Sequence, residues 1–357
     1  MFYRRAGVRH THYRSDRQLW PLGFDRALVS LVALLAIAAP FILSPLYLAG
    51  YLLPLVIWSM AALGLNLLMG FAGQIHLGYA AVMAMGAYGS IHLARFGLPF
   101  ELAVLGGGLI SAAIGMIFGV AALRVKGIYL AISTLAMHYI VDFVITHVGA
   151  ISGGTQATLQ APRFKFLGIP VESDFSRYYT ALLGCVVVTL FMLNVRRTAF
   201  GRALATIRDK DYAAEMIGVD SFRYKLVAFW TSSFIGGVAG AILAFCYYKA
   251  ITPEQFNLDI SIQAVAMVIV GGMGTVLGGF FGAGLILLAP ILLNNLVASV
   301  ATHSGSSLST ELLSHIPLAL YGALIIGFLL AEPLGLAKIY DNVRNYFLVW
   351  PFRHARS

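Results

Sequence analysis

The sequence predicts an all-α, polytopic integral membrane protein of about ten transmembrane helices, with glycine-rich helix breaks and one cytoplasmic coupling helix between spans. Three observations carry that expectation. Hydrophobic residues make up 59% of the 357 residues and charged residues only 11%, which leaves too little polar surface for a soluble globule of this length. The apolar runs are continuous over about 20 residues, which fits helices and excludes the alternating strands of a barrel. Glycine occupies 37 positions, above the average share of roughly 7%, as close helix packing in a bilayer favours.

The hydrophobic runs lie near 27–47, 49–70, 76–95, 99–123, 127–148, 177–195, 226–248, 261–275, 276–296 and 316–334. Ahead of them stands a basic segment with Arg4, Arg5, Arg9, Arg14, Arg17 and Arg26. The first apolar run is too long for a cleaved signal and lacks a small-residue cleavage pattern, so it is read as a true first span. With the N-terminus in the cytoplasm, residues 1–26, the 124–126 turn, the 196–225 segment and the tail after Gly335 lie inside. Every Lys and Arg except Arg95, Arg163, Lys165, Arg177 and Lys249 then falls on that side, as the positive-inside rule requires. The chain thus divides into a cytoplasmic segment 1–26, a transmembrane body 27–335 and a cytoplasmic tail 336–357. The net charge of +9 sorts by membrane side, and no nucleic-acid partner is expected. Span four carries Gly106, Gly107 and Gly108, and spans eight and nine are divided only by Gly271, Gly272 and Gly274. A single long broken helix across 261–296 is the alternative there, and it would reverse the side of the last loop.

Two glycine-rich breaks interrupt apolar sequence: Gly70-Phe-Ala-Gly73-Gln74-Ile-His76-Leu-Gly78 and Gly271-Gly272-Met-Gly274-Thr-Val-Leu-Gly278. Non-helical backbone at membrane depth needs protein or a water-filled cavity to satisfy it, so such breaks often mark a translocation path. On that reading the path residues are Asn66, Gly73, Gln74, His76, Gly78, Gly271, Gly272 and Gly274. The competing reading is a pair of tight turns with glycine faces for packing. His138 and Asp142 stand i, i+4 on one helical face, which suits either a proton relay or a structural hydrogen-bonded pair. His92 lies near an outer end, where it reaches headgroup water, and Glu332 before Pro333 reads as a helix stop. Cys185 and Cys246 sit inside apolar runs and read as small hydrophobes.

Catalytic machinery is missing from the sequence. There is no HExxH pair, no GxSxG elbow and no cysteine pair at zinc spacing, so neither a catalytic residue nor a metal site is expected. Without a GxxxxGK[ST] phosphate loop the chain binds no nucleotide cofactor by the common route, and its energy must come from an ion gradient or another subunit.

The segment 196–225 is the one long charged stretch between spans. Phe200, Leu204, Ile207 and Ala214 share a helical face that Asp211 interrupts, Arg202, Arg208 and Asp209 lie away from its centre, and Gly218 supplies a C-terminal stop. Such a helix can dock into a groove on a soluble partner, or lie on the inner leaflet with its arginines on anionic lipid.

The run from Phe200 through Gly201, Arg202, Leu204, Ile207, Arg208, Asp209, Ala213, Ala214 and Glu215 to Gly218, followed by Arg223-Tyr-Lys-Leu-Val-Ala-Phe229, resembles the coupling segment of a known family. That family is the permease subunits of branched-chain amino acid ABC importers of the LivM type. Ala62-Leu-Gly-Leu-Asn66-Leu-Leu-Met-Gly70-Phe-Ala-Gly73-Gln74, Gly78-Tyr-Ala-Ala, Gly86-Ala-Tyr88, Gly271-Gly-Met-Gly274-Thr and Glu332-Pro333-Leu-Gly335-Leu are similar to its other signatures. The resemblance implies a multi-span permease in a bacterial-type inner membrane, working with a second homologous permease, two cytoplasmic ATPase subunits and a periplasmic or surface substrate-binding protein. It implies that the residues from Phe200 to Gly218 couple to the ATPases, that ATP is used by those partners, and that the cargo is a small amino acid. His76 stands where the family usually has Ser, Tyr79 where it commonly has His, and the stretch from Ser152 to Ala157 lacks a later Gly, which leaves urea, short amides and other small polar solutes open. An ion-coupled transporter using His138 and Asp142, and a membrane-embedded enzyme or scaffold, are the alternatives from other classes.

Overall fold

The computed structural model describes residues 23–125, 127–154, 157–304, 310–332 and 334–349. The basic stretch before residue 23, Lys126, Thr155, Gln156, residues 305–309, Pro333 and the last eight positions lie outside the described residues. Each of the hydrophobic runs falls on a helix. In chain order these are α1 (Gly23–Ile42), α2 (Pro45–Phe71), α3 (Tyr79–Arg95), α4 (Phe100–Ala122), α5 (Ile128–His147), α6 (Asp174–Arg197), the polar pair α7 (Ala199–Asp209) and α8 (Asp211–Met216), then α9 (Ser221–Tyr248), α10 (Leu258–Gly271), α11 (Val276–Ser304), α12 (Thr310–Ala331) and α13 (Leu336–Val349). Six of the described helices are long and apolar enough to cross a membrane: α2, α4, α5, α6, α9 and residues Val276–Val297 of α11. Shorter apolar stretches lie at Arg26–Ile42 and Ala319–Phe328. Helix α10 has 14 residues, about 21 Å at 1.5 Å per residue, which falls short of the roughly 30 Å hydrocarbon core. The long broken helix across 261–296 does not form: Gly272 and Gly274 take positive φ, and α11 folds back along α10 with Gly271 against Gly278 and Gly282 against Met267.

The centre of the molecule is α2, α3, α4 and α9, packed with backbones close together. A β-carbon on Gly86 would strike Gly237, one on Gly237 would strike Ser111, and one on Gly240 would strike the backbone of Met83. Lipid tails give helices no hydrophobic reason to associate, so close approach and interhelical hydrogen bonds hold them instead. Ser232 Oγ donates to Gly64 O at 2.7 Å, and Ser111 Oγ donates to Val82 O at 2.5 Å. Gly240→Val should therefore separate α9 from α3 at a cost of about 1–3 kcal/mol, read as a lower melting temperature of the purified chain in detergent.

Between α5 and α6 lies a connection that the hydrophobic pattern left blank. It holds three two-residue strands: Lys165–Phe166 pairs antiparallel with Ile169–Pro170, and Leu159–Gln160 pairs antiparallel with Ala250–Ile251 from the connection after α9. His92 is not left to headgroup water: its Nε2 lies 2.7 Å from Ile151 O and ties α3 to this connection. Both cysteines are buried and unpaired, as their apolar surroundings foretold.

Candidate functional site

The site grows from the C-terminal end of α2. A π-helical turn, Leu67–Phe71, ends the helix, and Gly73 takes φ +67 where the chain leaves it. Wide turns of this kind are frequent at functional places because they free backbone groups from the regular ladder. Asn66, buried one turn earlier, reaches across to the second break. Its Nδ2 donates to Thr275 O at 2.7 Å, and its Oδ1 accepts from Gly274 N at 2.8 Å. One amide side chain therefore satisfies a donor and an acceptor of the other break, as buried non-helical backbone requires. A β-carbon on Gly70 would collide with that same Asn66 side chain and with Gly274, so the two breaks touch at a point where only glycine fits. Asn66→Leu, of similar size, should leave Gly274 N–H and Thr275 C=O without partners at about 1–3 kcal/mol each, measurable as loss of thermal stability.

The polar segment meets the same point from outside the bundle. The segment is two helices, not the single helix expected: Lys210 takes an extended conformation, φ −152 and ψ 96, and divides α7 from α8. The apolar face is as foreseen, with Leu204, Ile207 and Ala214 buried and Phe200 stacked on Tyr224 of α9 at 5.8 Å. Thr198 caps α7 by accepting from Gly201 N, Gly201 is pressed against Val195, and Gly218 stops α8 with φ +87. Arg202 donates to Arg197 O, while Asp209, Ala213 and Glu215 face water.

Arg208 lies away from the centre of the apolar face, and its side chain reaches back to the breaks. Its Nη1 donates to Gly70 O, its stem lies over Gly73, and its guanidinium sits against Gly274. The last turn of α7 is thus anchored on both glycine breaks at once. Two residue sets that the sequence proposed separately, one for a path and one for coupling, share this junction. Beside it Gln74 is half-buried, its Nε2 donating to Ala72 O, on the wall of a cavity shared with Gly73, Ile207 and Arg208.

Not every proposed path residue joins it. His76 is wholly buried, its Nδ1 accepts from Gly78 N at 3.0 Å, and its ring lies 5.4 Å from that of Phe229. Gly78 starts α3 hard against Thr134 of α5, and Leu77 N donates to Thr134 Oγ1. These contacts lock the turn into α3 rather than open it. Gly271 and Gly272 form the corner of the α10–α11 hairpin, with Gly335 pressed onto Gly272 and Ala337 of α13 buried beside it. His138 and Asp142 do not form the expected hydrogen-bonded pair: the buried His138 Nδ1 has no partner, though both side chains border a small void with Tyr88. Among the described residues there is no cluster of His, Cys, Asp or Glu able to hold a metal ion.

The arrangement defines a class: a multi-pass helical membrane protein whose two broken helices meet under a polar helix pair standing outside the bundle. The family described as branched-chain amino acid transport system, permease component, matches residues 47–331, and the chain belongs to it. It is 31% identical over 265 residues to the high-affinity branched-chain amino acid transport system permease protein LivM of Salmonella typhimurium, covering 67% of this chain and 62% of that one. It is 32% identical to LivM of Escherichia coli over 245 residues, 62% of this chain and 57% of the relative. The chain thus spans about three-fifths of the length of these relatives. It is also 25% identical to the L-arabinose ABC transporter permease protein AraH of Azospirillum brasilense, over 75% of this chain and 80% of that one. No solved structure matches.

Proposed function

We propose that this chain is the membrane-spanning permease subunit of an ABC importer that moves a small amino acid of the branched-chain type into the cytoplasm. About ten spans in the inner membrane, with both termini inside, make up the body. A second, homologous permease completes the channel, two cytoplasmic ATPase subunits dock on α7 and α8, and a periplasmic or surface protein delivers the solute. The chain binds no cofactor, and ATP is consumed by its partners. The observation that carries this reading is the anchorage of Arg208 on Gly70, Gly73 and Gly274, because it gives a force applied at the polar helices a direct hold on both membrane breaks. A ligand acts only through differential contact with two states, and an ATPase that shifts α7 between nucleotide states would bias the breaks in that way.

The cargo assignment follows the family and the LivM relatives, against which the arabinose permease stands as the competing case. The test is reconstitution in liposomes with the ATPases and binding protein, supplied in turn with leucine, valine, urea and L-arabinose. ATP-dependent, vanadate-sensitive uptake of leucine or valine alone is the expected result. Uptake of arabinose or urea alone would reassign the cargo. Uptake by the permease chain alone, driven by a pH gradient, would instead favour the ion-coupled reading.

A further inference from the structure

Helix α5 carries a carboxylate that the rest of the chain does not neutralise. His138 and Asp142 lie in a 20-residue helix apolar enough to cross a bilayer, and no Lys or Arg pairs with Asp142 among the described residues. An ionised group inside a membrane is costly, and by default it marks a path or a site with a counter-charge. Asp142 is half-buried beside a void bounded by α3, α5 and the short turn Pro253–Phe256. The polar side chains lining the void are those of Tyr88, His138 and Asp142; its other neighbours, such as Ala84, Val141 and Phe256, are apolar. The Tyr88 hydroxyl and His138 Nδ1 are buried without a hydrogen-bond partner among the described residues, in residues 1% and 2% exposed. The Asp142 carboxylate is near enough to act electrostatically on both. Two orphaned polar atoms and an unpaired carboxylate thus gather around one small space.

That space leaves about 10 Å³ for the centre of a water-sized group, which is room for one such group. A primary ammonium is of that size, brings the counter-charge that Asp142 lacks, and has three donors. Tyr88 Oη, the carboxylate, and His138 Nδ1 in the tautomer protonated at Nε2 supply three acceptors. We propose that this void seats the ammonium group of the amino acid cargo during its passage. The aliphatic part of the solute lies outside the void, on the half-exposed side of Asp142, where Tyr139, one turn away on α5, is also exposed. A carboxylate at that depth faces a protein interior or a water-filled cavity, so this wall of α5 borders the passage rather than lipid. The inference rests on the cargo reading above, and it names side chains that hold that cargo.

The experiment uses the assembled transporter without nucleotide and reads the melting temperature of the permease. Isoamylamine carries the ammonium and branched chain of leucine without its carboxylate, and 4-methylpentanoate carries the carboxylate without the ammonium. Isoamylamine at about 10 mM, ten times a millimolar Kd, should raise the melting temperature by roughly 2–3 °C. Equal concentrations of 4-methylpentanoate or sodium chloride should not. Asp142→Asn, which keeps the shape and removes the charge, should abolish the shift, and Tyr88→Phe, which removes one acceptor, should reduce it. In liposomes with binding protein, Asp142→Asn should also lower ATP-driven leucine uptake roughly 10- to 100-fold, the worth of a hydrogen bond to a charged group, with the ATPases still bound. If Asp142→Asn fails to assemble, Tyr88→Phe reads the same seat. A shift that sodium chloride also gives would assign the void to a metal cation and overturn the inference. So would a shift that survives Asp142→Asn, normal leucine uptake in that variant, or no isoamylamine shift in a transporter that imports leucine; the cargo reading then stands. A shift lost in Asp142→Asn, with no leucine uptake by the unaltered transporter, supports the ammonium seat and removes the cargo reading.

Discussion

Arg208→Leu should lower ATP-driven uptake by roughly 5- to 150-fold, the range of a coupling free energy of about 1–3 kcal/mol, while the ATPases remain bound. The expectation follows from where the guanidinium ends. Its bond to Gly70 O and its contact with Gly274 are made inside the bundle, whereas the remainder of α7 touches α9 and the end of α6. Leucine retains the stem over Gly73 and loses the charged grip, so the helix stays in place without holding the breaks. Arg208 is an exposed residue, and the substitution should change the melting temperature little. Arg208→Lys should recover part of the rate, since an ammonium can reach one carbonyl but lacks the planar fork that also covers Gly274. ATPase turnover measured beside uptake makes the result decisive: continued hydrolysis with uptake lost is uncoupling. Unchanged uptake in Arg208→Leu, or loss of the ATPases from the complex, would show that force reaches the breaks by another route.

The helices themselves were legible because twenty apolar residues in a row have few other solutions in a bilayer. Their contacts were not. Apolar residues encircle α11, so hydrophobicity does not say which of its faces meets protein and which meets lipid. Asn66 illustrates the gap. Its polarity inside an apolar run marked it as unusual, but nothing along the chain says that its amide is spent on Thr275 and Gly274, more than 200 positions away. Arg208 was legible as a coupling residue by resemblance, but a helical wheel sees only the helix on which a residue sits and does not show the reach to Gly70 and Gly274. The turn at Lys210 left a signal that was overlooked: Asp211 is an acid in the first turn of a new helix, where the helix dipole favours it. Helix α13 left another, since Leu336, Ile339, Tyr340 and Val343 recur at helical spacing within the tail read simply as cytoplasmic. His76 shows a neighbouring contact that the chain does not spell out. A histidine beside a glycine break suggests a path, and the structure adds that it is buried and accepts a hydrogen bond from Gly78 N.

Met216→Glu combined with Ile217→Glu should weaken recovery of the ATPase subunits with the permease by more than about a hundredfold, since central interface residues are commonly worth 2 kcal/mol or more each. Tyr212, Met216 and Ile217, on α8 and just after it, are 75%, 89% and 72% exposed, whereas Ala214 between them is buried. Contiguous apolar side chains in water mark an interaction surface, and on a segment outside the bundle the proposed occupant is the ATPase. Because the two substituted residues, Met216 and Ile217, are largely exposed, folding in detergent should be unaffected. The competing occupant is the inner leaflet, where an apolar edge can sink among headgroups. The two are separable by one comparison. If the segment lies on lipid, the double variant leaves ATPase recovery in detergent unchanged and weakens only the binding of a 196–225 peptide to anionic vesicles. If it docks on protein, recovery fails in detergent and in nanodiscs alike, and adding back a charge-reversed ATPase groove should restore part of it, because the new carboxylates would then meet opposite charge across the interface.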